Sequence, residues 1–292
     1  MSILINKDTR VLVQGITGRD GAFHTSKMIA YGTNVVAGTS PGKEGTIIPS
    51  GVPVYNCVEK AVNQTKANTS IIFVPAPFVK DAIMEAANSG ISLIVCITEG
   101  VPTLDVIEAQ AYVQRCGAML IGPNCPGLIS PQESLVGILP GNIFSNGKVG
   151  VISRSGTLTY EIVYNLTQNG LGQSTAIGVG GDPIVGLYYK DLLLMFQNDP
   201  QTQSIVVIGE IGGDAEEQAA EFIRDNITKP VVSFIAGKTA PADKRMGHAG
   251  AIISSGTGSA KEKREAFEKV GVPVADEPSQ IPILIKALLK QS

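Results

Sequence analysis

The stretch that decides the fold reads Arg10-Val11-Leu12-Val13-Gln14-Gly15-Ile16-Thr17-Gly18-Arg19-Asp20-Gly21. It begins with an apolar run typical of a buried strand, passes through glycines spaced G-x-x-G-x-x-G, and enters a helical stretch over residues 22–31. A glycine turn between a strand and a helix can bind a pyrophosphate, because the backbone comes close to the anion and the helix-start N–H groups hold it. The spacing is not the dinucleotide fingerprint G-x-G-x-x-G, so a tight structural turn is the alternative.

The end of the second predicted strand indicates which ligand would fit. Residues 34–38 form an apolar run, and Lys43 follows in the loop Thr39-Ser40-Pro41-Gly42-Lys43. An NAD site usually has Asp or Glu at this place, where it grips the ribose hydroxyls. Lys43 instead favours a ligand with an additional phosphate, and both NADP and coenzyme A fit. A surface lysine, with Glu44 beside it, is the alternative.

Further apolar runs in the first half lie at residues 70–74, 93–97 and 119–121, with helical stretches between them. Continuous apolar strands separated by helices predict a parallel sheet covered on both faces. Ligands of such sheets bind beyond the carboxyl ends of the strands. We therefore predict one site from the loops at that edge, which are Gly15–Asp20, Ser40–Lys43, Pro75–Pro77, Thr98–Glu99 and Asn124–Gly127.

The same alternation restarts after a loop-rich stretch at residues 131–147. Strands are predicted at residues 148–153, 176–179, 204–209, 231–235 and 272–274, and amphipathic helices at 262–270 and 281–290. A second open α/β domain is the simplest interpretation. After its first strand, Ser155-Gly156-Thr157 opens a helix, and its N–H groups either are capped by Ser155 and Thr157 or hold a phosphoryl group.

The candidate nucleophile is His248, in Lys244-Arg245-Met246-Gly247-His248-Ala249-Gly250-Ala251-Ile252-Ile253. Its neighbours are too small to bury an imidazole, and the two preceding cations favour an anion nearby. Glu210 ends a predicted strand, so the two side chains can meet at one sheet edge. A carboxylate that accepts Nδ1–H leaves Nε2 bare and nucleophilic. An exposed loop histidine is the alternative, and His24, inside a helix beside Phe23, is the weaker candidate.

Composition excludes several classes of protein. The 292 residues carry a net charge of -3, which gives no general attraction to nucleic acid or to anionic membranes. The four cysteines show no metal-binding spacing, so we expect reduced thiols and no metal on this chain. There is no leader-like segment and no apolar run of membrane-spanning length. A cytoplasmic protein is predicted.

Taken together, these motifs resemble one family over essentially the full length, the alpha subunits of succinate–CoA ligase (succinyl-CoA synthetase). The resemblance implies an α/β fold with an N-terminal Rossmann-like CoA-binding domain over residues 1–124. A flavodoxin-like, doubly wound domain with a phosphohistidine would follow over residues 125–292. It also implies a beta subunit of ATP-grasp fold that carries Mg²⁺ and ADP/ATP or GDP/GTP, with succinate, CoA and phosphate as substrates.

The resemblance assigns roles to individual residues. His248 would be the phosphohistidine, Glu210 its orienting partner, and Tyr160 a residue near the substrate. Ser155, Gly156 and Thr157 would hold phosphate. The CoA contacts would be Thr17, Gly18, Arg19, Asp20, Lys43, Ile97, Thr98 and Glu99. Because Asp20 repels phosphate and Arg19 attracts it, we expect that loop to contact CoA through its backbone.

Two other functions fit part of the sequence. The first glycine turn and Lys43 are compatible with an NADP-dependent oxidoreductase, although no acid–base set for hydride transfer accompanies them. A non-catalytic CoA-binding module would use the first domain alone. The ligase interpretation predicts that phosphate attacks an acyl-CoA thioester, giving an acyl phosphate and free CoA. His248 then takes the phosphoryl group and passes it to a nucleoside diphosphate, and every step is reversible.

Overall fold

The computed structural model describes residues 2–241, 243–253 and 257–290. The chain divides into two compact units. The N-terminal unit comprises Leu4–Leu139 and Ile184–Gly186, and the C-terminal unit comprises Pro140–Pro183 and Leu187–Ser292 with the first three residues.

The N-terminal unit alternates strands and helices. Its elements are β1 (Val11–Gln14), α1 (Arg19–Tyr31), β2 (Val35–Thr39), β3 (Val54–Tyr55), α2 (Val58–Thr65), β4 (Thr69–Ile72), α3 (Val79–Asn88), β5 (Leu93–Cys96), α4 (Thr103–Arg115), β6 (Met119–Ile121) and the hairpin β7 (Gly127–Ser130) and β8 (Ser134–Gly137).

Strands β1 to β6 form a parallel sheet in the order β3-β2-β1-β4-β5-β6. This is the Rossmann order 3-2-1-4-5-6. Strands β2 and β3 are added on one side of β1 and strands β4 to β6 on the other, so the strand order reverses between β1 and β4. Every residue of β1, β4 and β5 is buried, because helices cover both faces. A ligand crevice is therefore expected beyond the carboxyl ends of β1 and β4.

The C-terminal unit repeats the plan with a different strand order. Its elements are β9 (Asn146–Ser153), α5 (Gly156–Gln168), β10 (Gln173–Gly178), α6 (Tyr189–Asn198), β11 (Ser204–Glu210), α7 (Ala215–Asn226), β12 (Val231–Ala236), α8 (Ala260–Lys269), β13 (Val274–Ala275) and α9 (Ile281–Leu289).

These strands run parallel in the order β13-β12-β11-β9-β10. Numbered within the unit, this is the flavodoxin-like order 2-1-3-4-5, whose reversal point lies between β9 and β11. The Arg154 N–H donates to Ile208 O at 3.1 Å, so the two strands stay joined where they end. Beyond this point a second ligand crevice is expected.

The predicted fold class is confirmed, since both units are α/β with parallel sheets of the expected orders. The loop-rich interpretation of residues 131–147 is wrong in part, because β8 and the start of β9 lie inside it. The hairpin is fixed to the N-terminal unit by Thr33, whose hydroxyl donates to Leu135 O at 2.8 Å and accepts from Leu135 N–H at 2.9 Å. The boundary between residues 124 and 125 stays a prediction. Within the part of the chain that the structure describes, no helix has the length and apolar character needed to cross a membrane.

Candidate active site

A tight turn presents His248 at the surface of the C-terminal unit. The Met246 N–H donates to Ala251 O at 2.8 Å, and the Ala251 N–H donates to His248 O at 3.1 Å. Ala251 is buried and anchors the turn, while the imidazole is 30% exposed. The ring is therefore neither sealed in the core nor free in solvent.

Glu210 holds the protein-facing side of that ring. Nδ1 of His248 lies 2.9 Å from both carboxylate oxygens of Glu210, the last residue of β11. This hydrogen bond raises the pKa of His248 above its ordinary value of 6.5. Burial and the positive charge of Arg154 act against the rise in pKa, whereas the negative charges of Glu210 and Asp182 add to it. With Nδ1–H donated to a carboxylate, the neutral ring carries its lone pair on Nε2. The structure thus brings His248 and Glu210 together as the sequence predicts.

The turn after β10 packs directly against the ring. A Cβ atom added to Gly181 would lie 2.2 Å from Cγ and 2.5 Å from Nδ1 of His248, a separation that real atoms do not reach. The carbonyl of Gly181 also accepts the Gly250 N–H at 3.0 Å, which ties this turn to the histidine loop. Only glycine lets the imidazole reach Glu210 from this side.

Beneath the pair lies a cluster of buried charges that the sequence analysis did not identify. Arg154 donates from Nη1 to Glu216 Oε1 and to Gly212 O, both at 3.0 Å, and its Nη2 lies 3.6 Å from Glu210 Oε1. Lys263 on α8 donates to Glu216 and, at 2.8 Å, to Gly212 O. Glu216 and Lys263 are fully buried. Charged residues on amphipathic helices are usually solvated, so the pattern gave no signal for Glu216 or Lys263.

The start of α5 is already capped by Ser155. Its hydroxyl accepts the Leu158 N–H at 3.3 Å, and its own N–H donates to Ser153 Oγ at 3.1 Å. Gly156 and Thr157 follow as the first helical residues, with Thr157 exposed. Tyr160, one turn further, is half-buried, and burial raises its pKa. A phosphoryl group at this helix start would therefore meet the N–H groups of the first turn beside the Ser155 hydroxyl.

The N-terminal unit gathers its predicted ligand residues at the reversal point of its own sheet. The hydroxyls of Thr17 and Ser40 lie 2.8 Å apart, which joins the loop after β1 to the end of β2. A Cβ on Gly15 would lie 3.2 Å from the carbonyl carbon of Phe73, so the backbones after β1 and β4 run side by side. No side chain caps α1, whose N-cap residue is Gly18. Its first N–H groups are therefore available to an anion.

The charged residues at this edge of the sheet form ion pairs that affect how phosphate can bind. Arg19 and Asp20 form an exposed ion pair of 3.0 Å with each other, so their effects on an approaching phosphate largely cancel. Glu44 forms its ion pair with Lys60 and not with its neighbour Lys43, which is exposed. Lys43 is thus the cation best placed in this loop for an additional phosphate.

The remaining predicted contacts follow β5. The Thr98 hydroxyl donates to Val74 O at 2.7 Å, and the Asn124 N–H donates to Thr98 O at 3.0 Å. Ile97 and Thr98 are half-buried, whereas Glu99 is exposed. These bonds join the loops after β4, β5 and β6. His24, the weaker candidate, stacks on Phe73 with ring centroids 5.6 Å apart, and burial lowers its pKa. Cys125 is buried, and its thiol donates to Cys96 O at 3.2 Å.

Comparison with known proteins identifies the family. Residues 6–100 match the family model of the CoA binding domain, and residues 152–272 match that of CoA-ligase. The succinate–CoA ligase [ADP-forming] subunit alpha of Aquifex aeolicus is 56% identical over 292 residues, which cover 99% of this chain and 95% of that protein. This chain belongs to the succinate–CoA ligase alpha-subunit family. A family member from Staphylococcus epidermidis is 54% identical and covers 96% of this chain and 93% of its own length.

Solved structures agree on the fold of this succinate–CoA ligase family chain. An ATP citrate lyase from Methanothrix soehngenii, solved with citrate and coenzyme A, superposes with a TM-score of 0.90 at 22% identity and covers 99% of the chain. The chain spans about half of that lyase, 51% of its length. An acetyl-coenzyme A synthetase from Ca. Korarchaeum cryptofilum, solved with phosphate and ADP, gives 0.78 at 24% identity, covering 97% of this chain and 61% of its own. At these identities the likeness shows the fold alone.

Proposed function

We propose that this chain is the alpha subunit of a succinate–CoA ligase of the citric acid cycle. The reaction is succinyl-CoA + phosphate + NDP = succinate + CoA + NTP, with His248 phosphorylated between its two halves. The observation that supports this most directly is the Glu210–His248 contact at the reversal point of the second sheet. It fixes the proton on Nδ1 and leaves the lone pair of the neutral ring on Nε2.

Each step balances with groups that the chain supplies or binds. Phosphate oxygen attacks the thioester carbonyl, the C–S bond breaks, and succinyl phosphate and free CoA result. Nε2 of His248 then attacks phosphorus, the P–O bond to the acyl group breaks, and succinate leaves as a carboxylate. The nucleoside diphosphate takes the phosphoryl group from Nε2. Glu210 keeps hold of Nδ1–H throughout and stabilises the charge that develops on the ring.

The surroundings of His248 are suited to an anionic phosphoryl group. Arg154 supplies a fixed positive charge 3.6 Å from the Glu210 carboxylate. We propose that the N–H groups of Gly156 and Thr157 and the hydroxyl of Ser155 hold phosphate at the start of α5. Tyr160 would lie near the substrate.

For the N-terminal unit we propose a CoA site at the carboxyl ends of β1, β2, β4 and β5. The helix start at Gly18 has no capping side chain, which is what an incoming pyrophosphate needs. CoA brings the thiol that carries the acyl group. The chain holds it, by this proposal, through Thr17, Gly18, Arg19, Asp20, Lys43, Ile97, Thr98 and Glu99.

The assembly is part of the proposal. The two relatives described above are named as alpha subunits, which supports a beta subunit as partner. We propose that this partner has an ATP-grasp fold and carries Mg²⁺ with ADP/ATP or GDP/GTP. A cytoplasmic location and two domains divided after residue 124 complete the proposal.

The decisive experiment incubates the chain and its partner with ATP labelled at the γ-phosphate. We expect acid-labile, base-stable phosphate on the wild-type chain and none on His248→Asn. His24→Asn is the matched control, since it removes the chain's only other histidine. Label that survives in His248→Asn, or a wild-type chain that takes up none, would contradict the proposal.

A further inference from the structure

We infer that Lys263, Glu216 and Arg154 form a buried charge chain that positions Glu210 and sets the electrostatic balance at His248. Glu216 and Lys263 are thus positioning residues for phosphoryl transfer. The inference rests on the proposed function of His248, but its test below does not depend on turnover. Neither residue touches the imidazole, so both act through Arg154 and Glu210.

Glu216 reaches Glu210 by two routes. The Glu210 N–H donates to Glu216 Oε1 at 3.1 Å, which holds the backbone of the residue that carries the orienting carboxylate. The same oxygen accepts from Arg154 Nη1 at 3.0 Å, and the other end of that guanidinium faces Glu210 Oε1 at 3.6 Å. A movement of Glu216 would therefore shift both the backbone and the carboxylate of Glu210.

Lys263 closes the far end of the chain. Its ammonium donates to Glu216, and at 2.8 Å to Gly212 O, the same carbonyl that Arg154 Nη1 reaches at 3.0 Å. One carboxylate and one carbonyl thus hold two cations in fixed positions. The Glu217 carboxylate lies 3.7 Å from Lys263, and burial raises its pKa.

Stability alone does not explain such a cluster. Replacing buried ion pairs with apolar residues is often neutral or stabilising, because desolvation offsets the attraction between the charges. Glu216 and Lys263 are fully buried and Arg154 is 7% exposed, so desolvation is nearly complete. The charge chain ends at Glu210, the carboxylate that orients the proposed nucleophile, so we infer a role for it in positioning as well as in folding.

Cations and carboxylates alternate along the cluster, and this gives the inference a sign. Two cations, Arg154 and Lys263, face the carboxylates of Glu210 and Glu216, and Glu217 lies beside Lys263 at 3.7 Å. Burial alone would lower the pKa of Arg154, but Glu216, Tyr189 and Glu210 outweigh it and raise that pKa. The other titratable groups that face this cluster or His248 are Glu217, Tyr189 and Asp182.

Neutralising Glu216 and neutralising Lys263 shift the local charge in opposite directions. In Glu216→Gln the guanidinium loses its principal partner and turns to Glu210, where it competes with the imidazole. The surplus positive charge should lower the pKa of His248 by on the order of one pH unit. In Lys263→Met the surplus is negative, so the pKa of His248 should rise. The double variant Glu216→Gln/Lys263→Met restores the wild-type net charge and should return the pKa of His248 toward the wild-type value.

The measurement is an NMR titration of the histidine side chains in the full chain. The chain has two histidines, and His24 lies in the N-terminal unit, so it serves as an internal reference. Glu221→Gln makes the same change in charge at an exposed position of α7 and should leave the pKa of His248 unchanged. Lys263→Arg keeps the charge and should keep the wild-type pKa. Phosphorylation by the partner with ATP should fall roughly tenfold or more in Glu216→Gln and recover at least partly in the double variant.

Shifts of equal sign in the two single variants, or a double variant further from wild type than either of them, would overturn the inference. If the single variants do not fold, the double variant decides, since it keeps the net charge of the wild type. Its failure to fold would show that the cluster is structural and would also overturn the inference. Absence of phosphate on wild-type His248 would contradict the proposed function, whereas the titration would still report on the charge chain.

Discussion

At His248 one carboxylate has two effects that oppose each other in the reaction. By accepting Nδ1–H, Glu210 keeps the Nε2 lone pair available for attack on phosphorus. By the same hydrogen bond it favours the protonated ring, because it raises the pKa of His248 above 6.5. A protonated ring has no free lone pair on nitrogen, so the raised pKa works against the attack that the orientation favours. The geometry thus favours a well-oriented nucleophile over a fully deprotonated one.

The pH dependence of phosphorylation follows from that shift. Because the neutral ring reacts and its pKa is raised, the single-turnover rate should increase with pH and reach half its maximum above pH 6.5. In Glu210→Gln the pKa of His248 should fall below 6.5, since burial and Arg154 still lower it. The maximal rate should fall by roughly two orders of magnitude or more, because the tautomer is no longer fixed. Both effects are tested by rapid-quench measurements of the phosphorylation rate between about pH 5.5 and about pH 9, together with the histidine titration.

Gly181 offers a steric test of the contact between His248 and Glu210. In Gly181→Ala the new methyl group would lie 2.2 Å from Cγ of His248, so the ring must leave Glu210. We expect a folded chain with phosphorylation reduced at least tenfold and with the pKa of His248 nearer 6.5. Gly170→Ala is the control, because that glycine has a φ of +74° with nothing within 4 Å of an added Cβ. Equal losses of phosphorylation in both variants would mean that a general loss of stability, and not the clash with the ring, is responsible.

Lys43 tests which phosphate the N-terminal unit recognises. Lys43→Gln should weaken binding of CoA about tenfold and leave binding of 3′-dephospho-CoA nearly unchanged, because only CoA carries the additional charge. Lys7→Gln, at another exposed position of the same unit, is the control. Isothermal titration measures both ligands, and titration with NADPH, followed by its fluorescence, should show no binding. An equal loss for both CoA forms would place Lys43 away from the 3′-phosphate.

The sequence allowed part of the site to be predicted. Glu210 and His248 were paired because both follow strands whose carboxyl ends share an edge, a rule that depends only on topology. The supporting residues could not be found this way. Lys263 lies in a helix whose other charged residues are exposed, apart from the half-buried Arg264. Its burial depends on where α8 packs, which no local pattern records. Gly181 was visible as part of a turn, but not as the surface on which the imidazole rests.

At the scale of elements, the helices α1 and α5, which begin at the two candidate sites, differ in how their N-termini are capped. The N-cap residue of α1 is Gly18, which provides no side-chain cap, so the first N–H groups have no competitor for an anion. The N-cap residue of α5 is Ser155, whose hydroxyl already accepts the Leu158 N–H. A pyrophosphate suits the first arrangement, and a single phosphoryl group that arrives and leaves suits the second, because the cap satisfies the helix when the phosphoryl group is absent.

The stabilising effect of the Ser155 cap on α5 can be separated from the proposed role of Ser155 in phosphate binding. Ser155→Ala should cost about 1 kcal/mol of unfolding free energy and also slow phosphorylation of His248. Asp191→Ala removes the carboxylate that accepts the Tyr188 N–H at 2.9 Å at the start of α6, so its cost in stability should be similar. Urea unfolding and the phosphorylation assay compare the two variants. If Asp191→Ala slows phosphorylation as much as Ser155→Ala does, the effect is one of stability alone.

Elements were predictable where they are buried on both faces. Most of the parallel strands read as apolar runs, so their existence was clear from the sequence. β3 was not predicted, and β10 was predicted only from residue 176 because it begins with Gln173-Ser174-Thr175. The hairpin of β7 and β8 was not predicted either, because its strands are four residues each and contain Gly127, Ser130 and Gly137 among their apolar residues. Its place is decided by tertiary bonds such as those of Thr33 with Leu135, which a linear pattern does not contain.

At the scale of the whole molecule, each unit has its own reversal point and its own candidate site. The residues proposed for CoA all follow strands of the first sheet, and Glu210, Arg154 and His248 all belong to the second unit. Each unit builds its site from its own hydrogen bonds. Damage to one site should therefore leave binding at the other intact, although the complete reaction needs both.

This separation can be tested with two variants that fail in opposite assays. In Gly21→Val the added Cβ would lie 2.2 Å from Gly15 O, so the loop that would hold the pyrophosphate must distort. That variant should lose CoA binding at least tenfold and still form phosphohistidine from ATP and the partner. His248→Asn should bind CoA as the wild type does and form none. Gly32→Ala, at the other end of α1, has a φ of +105° with nothing within 4 Å of an added Cβ and controls for strain in that helix.

The complete reaction should be absent in both variants, and mixing them decides why. Thioester formation from succinate, CoA and ATP requires an intact crevice and an intact histidine that can serve the same turnover. If the mixture of Gly21→Val and His248→Asn chains with partner stays inactive, the two sites must lie in one chain. Recovered activity would mean that a site in one chain serves a neighbouring copy. Loss of phosphohistidine in Gly21→Val, with Gly32→Ala unaffected, would contradict the independence of the two units.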